Sequence, residues 1–301
     1  MNNTPASQAP RTASRRGFTL LELLVVIGII GILAAVTISQ FGGATATAKA
    51  TSCMTNMRNL AVAVQNTAMA NEWGHYPAAQ SYKFLWFSGG KKTYPTHRGW
   101  IGWTVTKDDS GTKGGGSQIS FSADKEMLRV ALTNGAIWKA VGGAVKSYQC
   151  PVHADACYKA NKRYPGWSYV MNQAFGFDDK YGGGPRAGQM VKSLENIGGG
   201  DRLLLFCEIQ GVDVPKYGLK AKTSGGGTEG DSVLQYEKNE VLGFNHQVTG
   251  KRWVAHVAFA DGHVARMMYP ERGLSLTDVT KALCQGHELS FDGHKYEDLS
   301  K

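Results

Sequence analysis

From Phe18 to Phe41 the sequence runs 24 residues with one charged side chain, Glu22, and 17 plainly apolar ones. As an α-helix at ~1.5 Å per residue this run reaches about 36 Å, enough to cross a bilayer core of ~30 Å. The carboxylate narrows what such a helix can be. An acid deep in a membrane helix costs roughly 2.5–3.5 kcal/mol, so Glu22, four residues into the run, calls for a partner. A cut after Gly17 supplies one, because the new Phe18 ammonium would lie one turn from Glu22 and could pair within the chain or with a neighbouring copy. The segment before the run holds Arg11, Arg15 and Arg16 and no acid, which keeps it cytoplasmic by the positive-inside rule.

The basic leader, Gly17, the Phe18-Thr19-Leu20-Leu21-Glu22 order and the long apolar run resemble the processing site of type IV prepilins and of the pseudopilins of type II secretion. The resemblance implies cleavage after Gly17 by a prepilin peptidase, N-methylation of Phe18 and a role for Glu22 as the assembly carboxylate. It also implies the partners: other pilin or pseudopilin subunits, the peptidase and methyltransferase, the inner membrane, and a secretion or pilus assembly platform. Two plainer readings compete. A secretory signal peptide would end at Ala44-Thr45-Ala46 or Ala46-Thr47-Ala48, but its apolar region is ~7–15 residues and this one is longer and holds an acid. An ordinary single-pass anchor leaves Glu22 without a reason.

After the leader and the helix, about 225 residues remain for a soluble core. The formal charge of +9 falls to +6 once the three leader arginines are removed, a mild excess that identifies no partner. With 38 glycines and 42% hydrophobic residues, the chain makes many turns yet is not disordered. Five cysteines leave an odd one. In an oxidising compartment Cys150 and Cys157 can close a small bridge, with Cys207 as the rival partner and free buried thiols as the other outcome.

Along the chain, Gly42-Gly43 predicts a bend or a melted turn, since each Gly weakens a helix by roughly 1 kcal/mol. Beyond it, Cys53, Met57, Leu60, Val64 and Ala68 recur at helical spacing as the apolar stripe of an amphipathic helix that covers a core. Tyr76-Pro77 ends this helix. The division expected is thus a leader at 1–17, a transmembrane half-helix at 18–41, an amphipathic half at 42–76 and a globular domain at 77–301. Residues 80–104 interleave Tyr82, Phe84, Trp86, Phe87, Tyr94, Trp100 and Trp103 with Lys83, Lys91, Lys92 and Arg98. That pattern can bind nucleic acid or sugars, but it reads first as strand core with a solvated rim, with no specific nucleic-acid partner. A short helix is predicted over Ala123–Thr133, capped by Ser122 and stopped at Asn134-Gly135, and another over Leu276–Gln285 between Ser275 and Gly286. Leu203 to Glu208 reads as a strand.

The tail, from Asn245-His246 to Asp261-Gly262-His263-Val264, resembles a narrower group of prepilin-like proteins in which a His is followed nine residues later by Asp-Gly. Here the interval is five residues longer, and a hairpin about Thr249-Gly250 would absorb the excess. Asp261-Gly262 is the dipeptide of two-residue type I′ hairpins. His246, His256, Asp261 and His263 are candidate metal ligands, with Asp292 and His294 as further ones, although no spacing enforces it. No catalytic or cofactor-binding motif occurs, and the glycine-rich runs at Gly182–Gly184 and Thr223–Gly230 lack the context of a phosphate cradle.

The expected fold is α+β and pilin-like: a long N-terminal helix, transmembrane in its first half, packed on a mostly antiparallel sheet with extended loops. The expected function is that of a structural subunit, not an enzyme. The alternatives are a membrane-tethered binding module for a glycan or other polyanion, and a periplasmic metal-dependent hydrolase.

Overall fold

A computed structural model describes residues 18–70, 76–79, 82–87, 90–97, 99–102, 125–162, 164–175, 200–222, 232–234, 240–248, 252–269, 275–286, 289–291 and 296–298. Helix α1 spans Leu20–Ala70. It is helical through Gly42 and Gly43, so the predicted melted turn is absent. Two glycines cost a long helix roughly 2 kcal/mol, less than a break that would forfeit several backbone hydrogen bonds. The chain divides between Thr45 and Ala46 into two units.

In the first unit, the segment Leu20–Thr37 is long and apolar enough to cross a membrane. Its large side chains, among them Leu20, Leu24, Ile27, Ile30 and Leu33, are exposed, as a helix made for lipid requires.

The second unit is built on a six-stranded mixed sheet. Strands β1 (Tyr82–Phe87) and β2 (Gly90–His97) form a separate hairpin, as the aromatic segment implies. The side chains on that hairpin, and Trp103, lie outside the described residues. Helix α2 (Lys125–Thr133) matches the predicted element, and the cap expected at Ser122 is likewise outside. Helix α3 covers Pro151–Asn161. The sheet then runs β5 (Val233–Leu234), β3 (Tyr169–Asn172), β4 (Leu204–Glu208) and β7 (Arg252–Phe259), with β6 (His246–Val248) and β8 (Val264–Met268) also on β7. All pairs are antiparallel except β3 with β5. Helix α4 (Leu276–Gln285) has the predicted bounds: Ser275 accepts from the Asp278 N–H at its start, and Gly286 closes it with φ +71°. A last hairpin joins β9 (Leu289–Phe291) and β10 (Tyr296–Asp298).

Every residue of β4 is buried, because both faces of the strand are covered. Glu208 meets Cys53 of α1, and Leu203, just before the strand, lies against Gly286 at the end of α4. The stripe expected on α1 is present, with Cys53, Met57, Leu60, Val64 and Ala68 all excluded from water. Trp100 fills the centre, stacked on Tyr148 and edge-on to Phe206, and donates its indole N–H to the Ser232 carbonyl at 3.0 Å.

The β7–β8 hairpin corrects the expected turn. Asp261-Gly262 is not a two-residue type I′ loop: Gly262 alone takes positive φ, at +90°, while the Gly262 N–H bonds the Phe259 carbonyl and the Phe259 N–H bonds the His263 carbonyl. This is a three-residue loop, a turn followed by a left-handed glycine, which needs one positive φ where the two-residue form needs two. The second expected hairpin forms as well, with Val248 opposite Arg252 across residues 249–251.

Candidate functional site

Two places among the described residues concentrate polar side chains. The first is the start of α1. Gly17 lies outside the described residues. Phe18 is exposed and non-helical, and Thr19 caps the helix. The Thr19 N–H donates to Glu22 Oε2 at 2.8 Å, its hydroxyl to the same oxygen at 3.0 Å, and the Glu22 N–H donates to the Thr19 hydroxyl at 3.2 Å. That is a reciprocal capping box, with Ser/Thr at the cap and Glu three residues on. Before any cut exposes an amine, Glu22 therefore has a local use, which the sequence reading did not anticipate.

The second place is a buried polar cluster that the sheet assembles. Val254 pairs with both His246 and Met268, and Val257 with both Cys207 and Ala265. Strands β4 and β6 therefore share one edge of β7, and β8 takes the other. The end of β4, Glu208, is thereby brought against the beginning of β6, His246. Glu208 Oε1 accepts from His246 Nε2 at 2.9 Å and from His256 Nδ1 at 3.2 Å. Cys53 of α1 donates its thiol to the same oxygen. Cys150, at the N-cap of α3, places its sulfur 3.4 Å from His246 Nε2, and the Tyr169 hydroxyl donates to the Cys53 sulfur at 3.3 Å. Asn245 bridges its Nδ2 to Glu208 Oε2 at 3.4 Å and to the Ile209 carbonyl at 2.7 Å.

Gly243 permits this convergence. A Cβ there would fall 2.5–2.6 Å from backbone atoms of Glu208, Ile209 and Gln210, and the Gly243 N–H bonds the Glu208 carbonyl at 2.9 Å. Gly243→Ala is expected to lower stability by about 3 kcal/mol, because the clash is with backbone that cannot rotate away. An unchanged melting temperature would show that the segment shifts freely.

Glu208 is the one fully buried carboxylate among the described residues. Burial pushes its pKa up, but His246 and His256 beside it win and hold it well below the usual carboxylate range. Burial likewise opposes charge on His246, and Glu208 overrides it, raising the imidazole to about 10. The two therefore form a buried ion pair. The Cys150 thiol, raised by burial, is brought down to about 7 by its neighbours Cys53 and His246, whereas burial and its acidic neighbours keep Cys53 well above the ordinary thiol value.

Neighbouring His153 behaves in the opposite way. Burial lowers it to about 4, against a pull upward from the Lys222 carbonyl, which accepts from Nε2 at 3.2 Å, and from the charge on Glu208. A histidine neutral in the fold but titrating near 6.5 when unfolded stabilises above that pH, and the contribution is lost as pH falls toward 4. The loss amounts to about 3 kcal/mol. Unfolding measured from pH 7 to 4 should show this acid slope flattened by one proton in His153→Gln, and equal slopes would refute it.

All five cysteines are free and buried. A Cys150–Cys157 bridge is not formed: two turns of α3 separate them, about 10 Å at 1.5 Å per residue, beyond the reach of a disulfide. Of the four predicted metal ligands, His246 and His256 enter the cluster, their rings 4.5 Å apart. Asp261 and His263 do not; they pair with each other at 2.6 Å on the exposed β7–β8 turn. Asp292 and His294 lie outside the described residues. In place of the two turn residues the structure supplies Cys53, Cys150 and Glu208. With His246 these offer four ligand atoms, all within 4.8 Å of one another and all buried.

Comparison with known proteins bears on the first place. Residues 12–38 match the family model for the prokaryotic N-terminal methylation motif. The chain carries a prepilin N-terminal methylation motif. The match takes in Gly17, Phe18, Thr19 and Glu22 and all of the exposed segment Leu20–Thr37, so α1 starts as a prepilin-like apolar helix long enough to cross a membrane. No curated protein and no solved structure matches the chain. The prepilin motif stops at residue 38, and the likeness of the tail to His-x9-Asp-Gly proteins gains no support from it.

Proposed function

We propose that the protein is a pilin-like structural subunit of a type II secretion pseudopilus or a type IV pilus-like fibre, cut after Gly17, methylated on Phe18 and assembled through the first half of α1. The observation that carries this reading is the prepilin motif laid over the apolar segment Leu20–Thr37, whose large side chains are exposed. An apolar segment with its large side chains exposed needs lipid, or sister helices, around it. In this reading the anchor sits in the inner membrane with the second unit in the periplasm. The capping box holds Glu22 until cleavage, after which the carboxylate meets the Phe18 amine of a neighbouring copy. The role needs no catalysis.

The test is chemical cross-linking in cells, followed by fractionation. The processed chain is expected in high-mass assemblies with other pilin-like subunits, and Gly17→Leu, which blocks the cut, is expected to remain in the membrane as monomer. A wild-type chain that is processed but stays monomeric would overturn the proposal.

A further inference from the structure

The buried cluster has more ligand chemistry than a structural ion pair needs. Cys53 comes from α1, Cys150 from the N-cap of α3, Glu208 from β4 and His246 from β6. Four segments far apart in sequence thus point two sulfurs, a carboxylate oxygen and an imidazole nitrogen at one spot closed to water. We infer that Cys53, Cys150, Glu208 and His246 form a structural site for a zinc-class divalent transition metal, which clamps the second half of α1 onto the sheet.

The donor set fits that ion. Thiolate, imidazole and carboxylate together suit zinc over calcium or magnesium, which take oxygen ligands. In a tetrahedron with metal–sulfur bonds of ~2.3 Å and metal–nitrogen or –oxygen bonds of ~2.0–2.1 Å, ligand atoms stand about 3.3–3.8 Å apart. Cys53 and Glu208 stand closer than this, His246 and Glu208 are 2.9 Å apart, and no pair exceeds 4.8 Å, so the ligands need shifts of about an ångström, with the Cys53–Glu208 contact opening the most. The surrounding groups are those that orient ligands: the Tyr169 hydroxyl donates to the Cys53 sulfur, while His256 and Asn245 donate to the two oxygens of Glu208. Two thiolates and a carboxylate against one dication leave a net negative charge, which these three donors offset. The ion takes its ligands as thiolate, carboxylate and neutral imidazole, so any proton these groups hold leaves to solvent on binding. Four protein ligands close the coordination sphere and leave no open position for water, so the site holds structure and does not hydrolyse. The inference is independent of the fibre assignment.

The test uses the full chain in mild detergent, reduced, stripped with chelator and reloaded with zinc alone. About one ion per chain is expected by elemental analysis, falling at least tenfold in Cys53→Ser and Cys150→Ser. Cys157→Ser, a buried thiol outside the cluster, is expected to keep the metal. Because the ligand variants can fail to fold, the wild type is also loaded with cobalt(II), which should give a thiolate charge-transfer band and intense tetrahedral visible bands. Tyr169→Phe, which removes one hydroxyl, should weaken zinc affinity about 10- to 100-fold. A reduced, folded wild type that takes up no zinc, or cobalt spectra without thiolate ligation, would overturn the site. So would a Cys53–Cys150 disulfide in the native chain that, once reduced, still leaves it unable to bind metal.

Discussion

Glu208→Ala is expected to destabilise the chelator-treated protein by about 3–5 kcal/mol, because it strands a buried cation and its neighbours without the acceptor they share. Four groups use that carboxylate: His246, His256, Cys53 and Asn245. None has water to fall back on, since the two histidines and Asn245 are at most 3% exposed and Cys53 is fully buried. Glu208→Gln keeps an acceptor oxygen and the side-chain volume but gives up the charge, and should lose roughly 1–3 kcal/mol. Thermal unfolding of the full chain in detergent checks the series. The order expected is wild type, then Gln, then Ala, with Ala lower than wild type by about 10 °C or more. If Ala and Gln melt with the wild type, the cluster contributes nothing to holding the sheet edge together.

The second large effect is on assembly. Glu22→Val should insert and be processed as the wild type is, yet enter fibres roughly 100-fold less well. The lost carboxylate leaves a neighbour's amine unpaired in hydrocarbon at about 2.5–3.5 kcal/mol, with each 1.4 kcal/mol a factor of ten. The capping box provides the control. Thr19→Val removes the hydroxyl that bonds Glu22 while keeping the charge, and costs the helix start only about 1 kcal/mol. If Thr19→Val assembles nearly normally and Glu22→Val does not, the carboxylate acts between subunits. Equal defects would mean that Glu22 serves only to start its own helix.

What the sequence revealed follows from how local each signal is. The apolar run, the stripe from Cys53 to Ala68, α4 between Ser275 and Gly286, and the strand ending at Glu208 are written in consecutive residues or in one helical period, and all are found. The α+β class followed from these. The buried cluster is different, because its four potential ligands, Cys53, Cys150, Glu208 and His246, are 38 to 193 positions apart and meet only through the fold: β4 and β6 must share an edge of β7 before Glu208 and His246 can touch. Proximity in sequence instead favoured Asp261 and His263, which a turn pairs on the surface. One signal was available, since Glu208 closes the apolar run Leu203–Cys207 in a strand buried throughout. An acid at such a position needs buried partners. Cys53 was hidden differently, as one apolar member of a helix stripe, with nothing local to set its thiol apart. The Asp-Gly turn was placed correctly but given two residues, because the dipeptide fixes a positive φ at Gly262 and leaves Asp261 free to stay in the right-handed region.

The central claim is that a cut after Gly17 frees an amine that Glu22 meets in the membrane. Intact mass and N-terminal analysis of the protein recovered from cells test it most directly. A chain that starts at an N-methylated Phe18 is the predicted result. A chain that still carries its first 17 residues, or that starts at Thr47 or Lys49, would contradict it.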